Sequence, residues 1–168
     1  MHADYVTTYF TEEKIENLFF IIIGIITIAL ALIFLLLIKY SFFKGMAIPL
    51  LAIGIMELSV GTFFFNNSVH EIAQVEHMLK NKSQLLQTQE LHRMELVLKN
   101  CTIYKFIEIF LISIGVILFI VFYKSSQIFW KGFGLGLLIQ AGLMLYLNML
   151  SQQRLHLYIM HLNSSFIN

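Results

Sequence analysis

The run Ile48-Pro49-Leu50-Leu51-Ala52-Ile53-Gly54-Ile55-Met56-Glu57-Leu58-Ser59-Val60-Gly61-Thr62-Phe63-Phe64-Phe65 decides the fold class. It is long and apolar enough to cross a bilayer, yet it carries one carboxyl near its centre. A charged side chain at that depth costs roughly 2.5–3.5 kcal/mol on insertion scales, so it faces protein or water and not lipid. A second acid, Glu108, lies within another apolar run. The reading is an all-α integral membrane protein with buried polar groups.

Working outward, three further stretches match the first. The expected spans are 18–38, 46–65, 106–123 and 128–149, each at or above the ~18 apolar residues that mark a spanning helix. Of the 168 residues, 12% are charged, against about 25% in an ordinary soluble domain. Only about half the chain remains outside these spans, too little for a separate soluble domain. A single four-helix transmembrane domain over residues 1–168 is expected.

The net charge of +1 argues against a nucleic-acid partner, which needs clustered positive charge on one face. Cys101 is the sole cysteine, so an internal disulfide and a paired-thiol redox centre are both excluded. Residues 1–17 carry Asp4, Glu12, Glu13 and Glu16 against Lys14, whereas a cleavable signal has a basic leader and a shorter apolar core. The first span is therefore expected to be a retained anchor.

The connections 39–44 and 124–131 share one chemistry: lysines, aromatic residues and no acid. The positive-inside rule puts both in the cytoplasm and the termini on the opposite side. Between them, residues 66–100 contain no Pro or Gly. Val69, Ile72, Val75 and Leu79, then Leu91, Met94 and Leu98, recur at helical spacing. The expected structure is a helical hairpin turning at Lys80–Ser83, with Ser83 as N-cap. Helix four is expected to continue likewise through Leu155, Tyr158, Ile159 and Leu162. Helices two, three and four would then extend past the bilayer as a stub, either self-packed or a docking surface.

Polar and small residues pick out the faces. Gly54, Glu57 and Gly61 fall on one stripe of helix two, and small residues let membrane helices approach closely. Helix three offers Glu108 and Gly115. Helix four offers Gly132-x-x-x-Gly136, then Gln140 and Asn148. Counting from Lys44 places Glu57 roughly 20 Å into a core about 30 Å thick. Glu57, Glu108, Gln140 and Asn148 are thus candidates for an intramembrane polar cluster. Two readings of it compete: neutral, hydrogen-bonded structural glue with Lys105 beside Glu108, or a proton- or cation-binding pair of acids.

Other chemistry finds little support. His70 and His77 share a face near Glu71 and Glu76, His92 and Glu95 lie on the return, and His156 and His161 on helix four. No Glu-x-x-His pair of the di-iron bundle type and no His-Glu-x-x-His occurs, so solvated surface histidines are expected and no metal or cofactor. There is no Gly-x-Ser-x-Gly elbow and no phosphate-cradling glycine loop. The single proline, Pro49, near the start of helix two, does not suggest the broken helices of transporters.

Two function classes follow. The first is a non-enzymatic interaction or accessory subunit, scaffold or protective, meeting a membrane-protein partner or its own copies through the extramembrane helices. The second is a self-associating ion channel using Glu57 and Glu108. The orientation has a direct test. With Cys101 replaced, cysteines at Ser41 and Ser125 should resist impermeant thiol reagents in intact cells, whereas cysteines at Ser83 and Ser164 should label. The opposite pattern would invert the topology.

Overall fold

The computed structural model describes the backbone of residues 2–81 and 84–167, and the side chains of residues 8, 9, 11–66 and 90–160. Four helices make up the chain: α1 (His2–Leu36), α2 (Ser41–Asn81), α3 (Gln84–Phe122) and α4 (Ile128–Ile167). At 1.5 Å per residue each is roughly 50–60 Å long. All four contain a segment long and apolar enough to cross a membrane: Thr11–Leu36, Ser41–Asn66, Glu90–Phe122 and Ile128–Met160.

These helices overrun the expected spans at several ends. The segment 66–100 forms the end of α2 and the start of α3, with Lys80 and Asn81 still helical. The expected N-cap Ser83, with Lys82, lies outside the described residues. The first helix begins at His2, so the acidic leader is itself helical and α1 is as long in proportion as its neighbours. Pro49 is interior to α2, two turns from its start, because Ser41 opens the helix earlier than the apolar run suggested. Its ring removes the donor that would have met the Gly45 carbonyl.

The two short connections are closed by local hydrogen bonds. The Tyr40 carbonyl accepts from Phe43 N at 3.1 Å and opens α2. Ser125 Oγ accepts from Gln127 N at 3.1 Å, a serine turn of the kind that interrupts helices before a new start.

The spatial order is α1–α2–α4–α3. Two antiparallel hairpins, α1/α2 and α3/α4, dock through α2 and α4, with a minor contact between α1 and α4. Gly24, Gly54 and Gly61 line the α1/α2 seam, against Leu58, Thr27 with Ile28, and Phe20 with Ile21. Ala31, Ala47 and Leu50 are buried at its other end. Gly115 and Gly134 meet each other's carbonyls across α3/α4.

The α2/α4 docking is the tightest. A Cβ on Gly45 would run into the Phe129 carbonyl, and one on Gly132 into the Phe42 carbonyl. Gly136 lies next along the same seam, where a Cβ would come 2.7 Å from the Met46 carbonyl oxygen. Backbone thus meets backbone at the start of both helices, a contact that only glycine permits. Gly142 is different, with nothing within 4 Å of its would-be Cβ. Gly132→Ala should therefore lower stability by about 1–3 kcal/mol, the cost of forcing two well-packed elements apart. Gly142→Ala should be neutral or stabilise by up to ~1 kcal/mol through helix propensity. Unfolding in mild detergent measures both. Equal effects would mean the α2/α4 contact is not tight.

Candidate functional site

The inward polar groups are organised by α4. Gln140 is buried and turns to α2, where its Nε2 donates to Glu57 Oε2 at 2.7 Å. Glu57 is 0% exposed, and its second oxygen, Oε1, has no hydrogen-bond partner. Two turns further on, Asn148 turns to α3. Its Nδ2 donates to Glu108 Oε2 at 3.1 Å and to the Cys101 carbonyl at 3.0 Å.

A third tie joins α4 to α1. Ser151 Oγ donates to Glu16 Oε2 at 2.8 Å, and Arg154 pairs with the same oxygen. Arg154 also lies over the Tyr9 ring, 5.5 Å from its centroid. Each of the other three helices thus has an acid, Glu16, Glu57 or Glu108, that is held by α4.

The four candidate polar residues consequently form two pairs and not one cluster. Eight residues separate Gln140 from Asn148, roughly 12 Å along the axis, and about 80° of turn aims them at different neighbours. Glu57 does not share its outlook with Gly54 and Gly61 either. The glycines face α1, while Glu57, offset around the helix, faces α4. Lys105 forms no ion pair with Glu108, whose partner is Asn148.

Beyond the Glu16–Arg154 pair, a second core joins three helices. Tyr9, Met94, Leu155 and Tyr158 are buried together, with Val97, Leu98 and Ile159 packed against them. The Tyr9 and Tyr158 rings stack at 4.1 Å, and the Tyr9 hydroxyl donates to Met94 Sδ at 3.9 Å. Burial, reinforced by Glu13, pushes the Tyr9 hydroxyl far above its ordinary range. Beside this core Glu90, also buried, accepts from Arg93 Nε at 3.0 Å and Nη2 at 2.9 Å.

Sequence reasoning missed the contribution of α1 to this end, because the charged leader read as a flank of the span. Its signal was present: Tyr9, Glu13 and Glu16 recur at steps of four and three, and Arg154 is the sole arginine of α4. Of the histidines, His92 and His156 are exposed, whereas the side chains of His70, His77 and His161 lie outside the described residues. Among the described residues no three His, Cys, Asp or Glu side chains converge as a metal site.

Comparison of the chain with protein-family models, with characterised proteins and with solved structures found no match. What the polar contacts can do is hold helices in register: Glu16, Glu57 and Glu108, on three different helices, each find a partner on α4.

That role has an energetic signature. Asn148→Leu should destabilise by roughly 1–3 kcal/mol, since Glu108 is left buried without its donor. Replacing both Asn148 and Glu108 by Leu should cost less than the sum of the single changes. A double-mutant cycle on unfolding in detergent reads the coupling. Strict additivity would show that the pair does not act as a unit.

Proposed function

We propose that this chain is a multi-pass membrane protein acting as a non-enzymatic interaction or accessory subunit, a scaffold or protective partner to another membrane protein or to its own copies. The observation that carries this reading is the sealing of Glu57. A pore-lining acid must meet a wetted path, whereas Glu57 is fully buried within a single chain and bonded to Gln140. Glu108, also buried, is tied to Asn148. Polar groups spent on internal ties leave the outer surface for recognition.

The four candidate spans support placement across a bilayer, with 39–44 and 124–131 on the cytoplasmic side. Helices of 50–60 Å exceed a hydrocarbon core of about 30 Å, so the end bearing the termini would project beyond it. The Tyr9–Met94–Leu155–Tyr158 core would give that projection a rigid, self-packed base on which a partner docks.

Glu57 provides the test. As neutral glue it can be replaced by Gln, which keeps the shape and an acceptor for Gln140, so Glu57→Gln should assemble and act like the wild type. Glu57→Leu leaves Gln140 buried and unpaired, at a cost of roughly 1–3 kcal/mol. In reconstituted liposomes, wild type and Glu57→Gln should show equal and negligible ionic leak. A pH-dependent leak in the wild type that vanishes in Glu57→Gln would establish the channel and overturn the accessory role.

A further inference from the structure

We propose that the end of the bundle built from the 39–44 and 124–131 connections is a binding surface for anionic phospholipid headgroups. The proposal rests on the reading of the chain as membrane-spanning.

Four of the eleven basic residues lie at this end, Lys39, Lys44, Lys124 and Lys131, and none of the ten acids. No acid occurs between Glu16 and Glu57, and none after Glu108. Lys39, Lys44 and Lys124 are exposed and Lys131 is half-buried. Among the described residues none of the four enters an ion pair.

The fold turns two separate basic connections into one surface. Gly45 against Phe129, and Gly132 against Phe42, bring the first turns of α2 and α4 into backbone contact. Lys44 and Lys131 are the direct sequence neighbours of those glycines, so both lie at the crossing.

Their position is electrostatically odd. Each is the fourth residue of its helix, within the first turn, where the aligned peptide dipoles place partial positive charge. That turn ordinarily attracts acids, and neither α2 nor α4 has one there. Two helices docked at the same end, each with a lysine and no acid in its first turn, leave positive charge there that no described acid offsets. Phosphate groups at this end would meet positive charge from the lysines and from the dipoles of both helix starts.

The surroundings favour a lipid phosphate over a soluble one. Tyr40, Tyr123 and Trp130 are exposed around the lysines, the aromatic types that settle at headgroup depth. Trp130 stacks on Phe122 at 5.9 Å and meets Phe133 edge-on at 5.6 Å, so its indole is fixed beside the lysines.

Trp130 is the sole tryptophan and therefore reports on this surface. Full-length protein is reconstituted in phosphatidylcholine vesicles containing either brominated phosphatidylglycerol or brominated phosphatidylcholine, and quenching of Trp130 is measured. Brominated phosphatidylglycerol should quench beyond its share of the bilayer, and high salt should abolish the excess. The Lys44→Gln/Lys131→Gln variant should lose roughly tenfold in relative affinity for phosphatidylglycerol. The Lys99→Gln/Lys105→Gln control should retain it. Equal quenching by the two lipids in wild type, or an excess unchanged in Lys44→Gln/Lys131→Gln, would overturn the proposal. Relief of quenching by inorganic phosphate would also overturn it, in favour of a soluble anion. Alkaline carbonate separates the two readings: release from membranes would sink the spanning reading itself. Retention together with equal quenching would sink the lipid surface alone.

Discussion

Everything in this bundle depends on α4 holding an acid from each of its neighbours. In an apolar medium helices gain nothing from hydrophobic association, because lipid chains are as apolar as leucine. Packing of small residues can bring helices together but leaves their sliding and rotation weakly specified. Glu57 on Gln140, Glu108 on Asn148 and Glu16 on Arg154 each have a single productive pairing. An acid that slid by one turn would lose that partner, and a buried polar group without a partner costs roughly 1–3 kcal/mol. Mispairing is penalised more than correct pairing is rewarded, and that asymmetry fixes the register.

The glycine seams set α4 close against two of the helices it ties. Gly132 and Gly136 face α2, while Gly134 faces α3, so α4 presents small residues on two sides. Close approach on both sides puts it between its neighbours and brings its polar side chains within reach of each. The α1/α2 seam is built on Gly24, Gly54 and Gly61, with Lys14 of α1 over the Phe65 ring of α2 at 5.3 Å. Ser151 and Arg154 of α4 add a tie to α1 near the same end.

The helical class was legible because an apolar run of twenty residues has one economical solution in lipid, the helix. The inward-facing acids were legible for the same energetic reason. Their pairing was not. Spacing along one helix gives the face, but the neighbour on that face depends on the order α1–α2–α4–α3, and no residue in the sequence states that order. Glu57 illustrates this: its stripe with Gly54 and Gly61 is real, yet the stripe is wide enough to touch two helices. The helical leader was hidden for a different reason. Span recognition weighs hydrophobicity, and Glu12, Glu13 and Glu16 lower it just where Tyr9 and Glu16 begin to pack.

Directing the polar chemistry inward has a consequence for the outside. On α3, Phe106, Ile107, Phe110, Ile117 and Ile120 are exposed, and on α1, Phe19, Ile22 and Ile26. None of these takes part in the ties to α4, so exchanging one apolar residue for another there leaves the register untouched. The two outer helices can therefore change their exposed surface while the ties to α4 are kept. An enzyme or a pore concentrates constraint at the polar groups because those groups do the chemistry. Here the described ties of Glu57, Glu108 and Glu16 join helix to helix, and the exposed faces of α1 and α3 take no part in them. That division of labour is what the proposed accessory role would require.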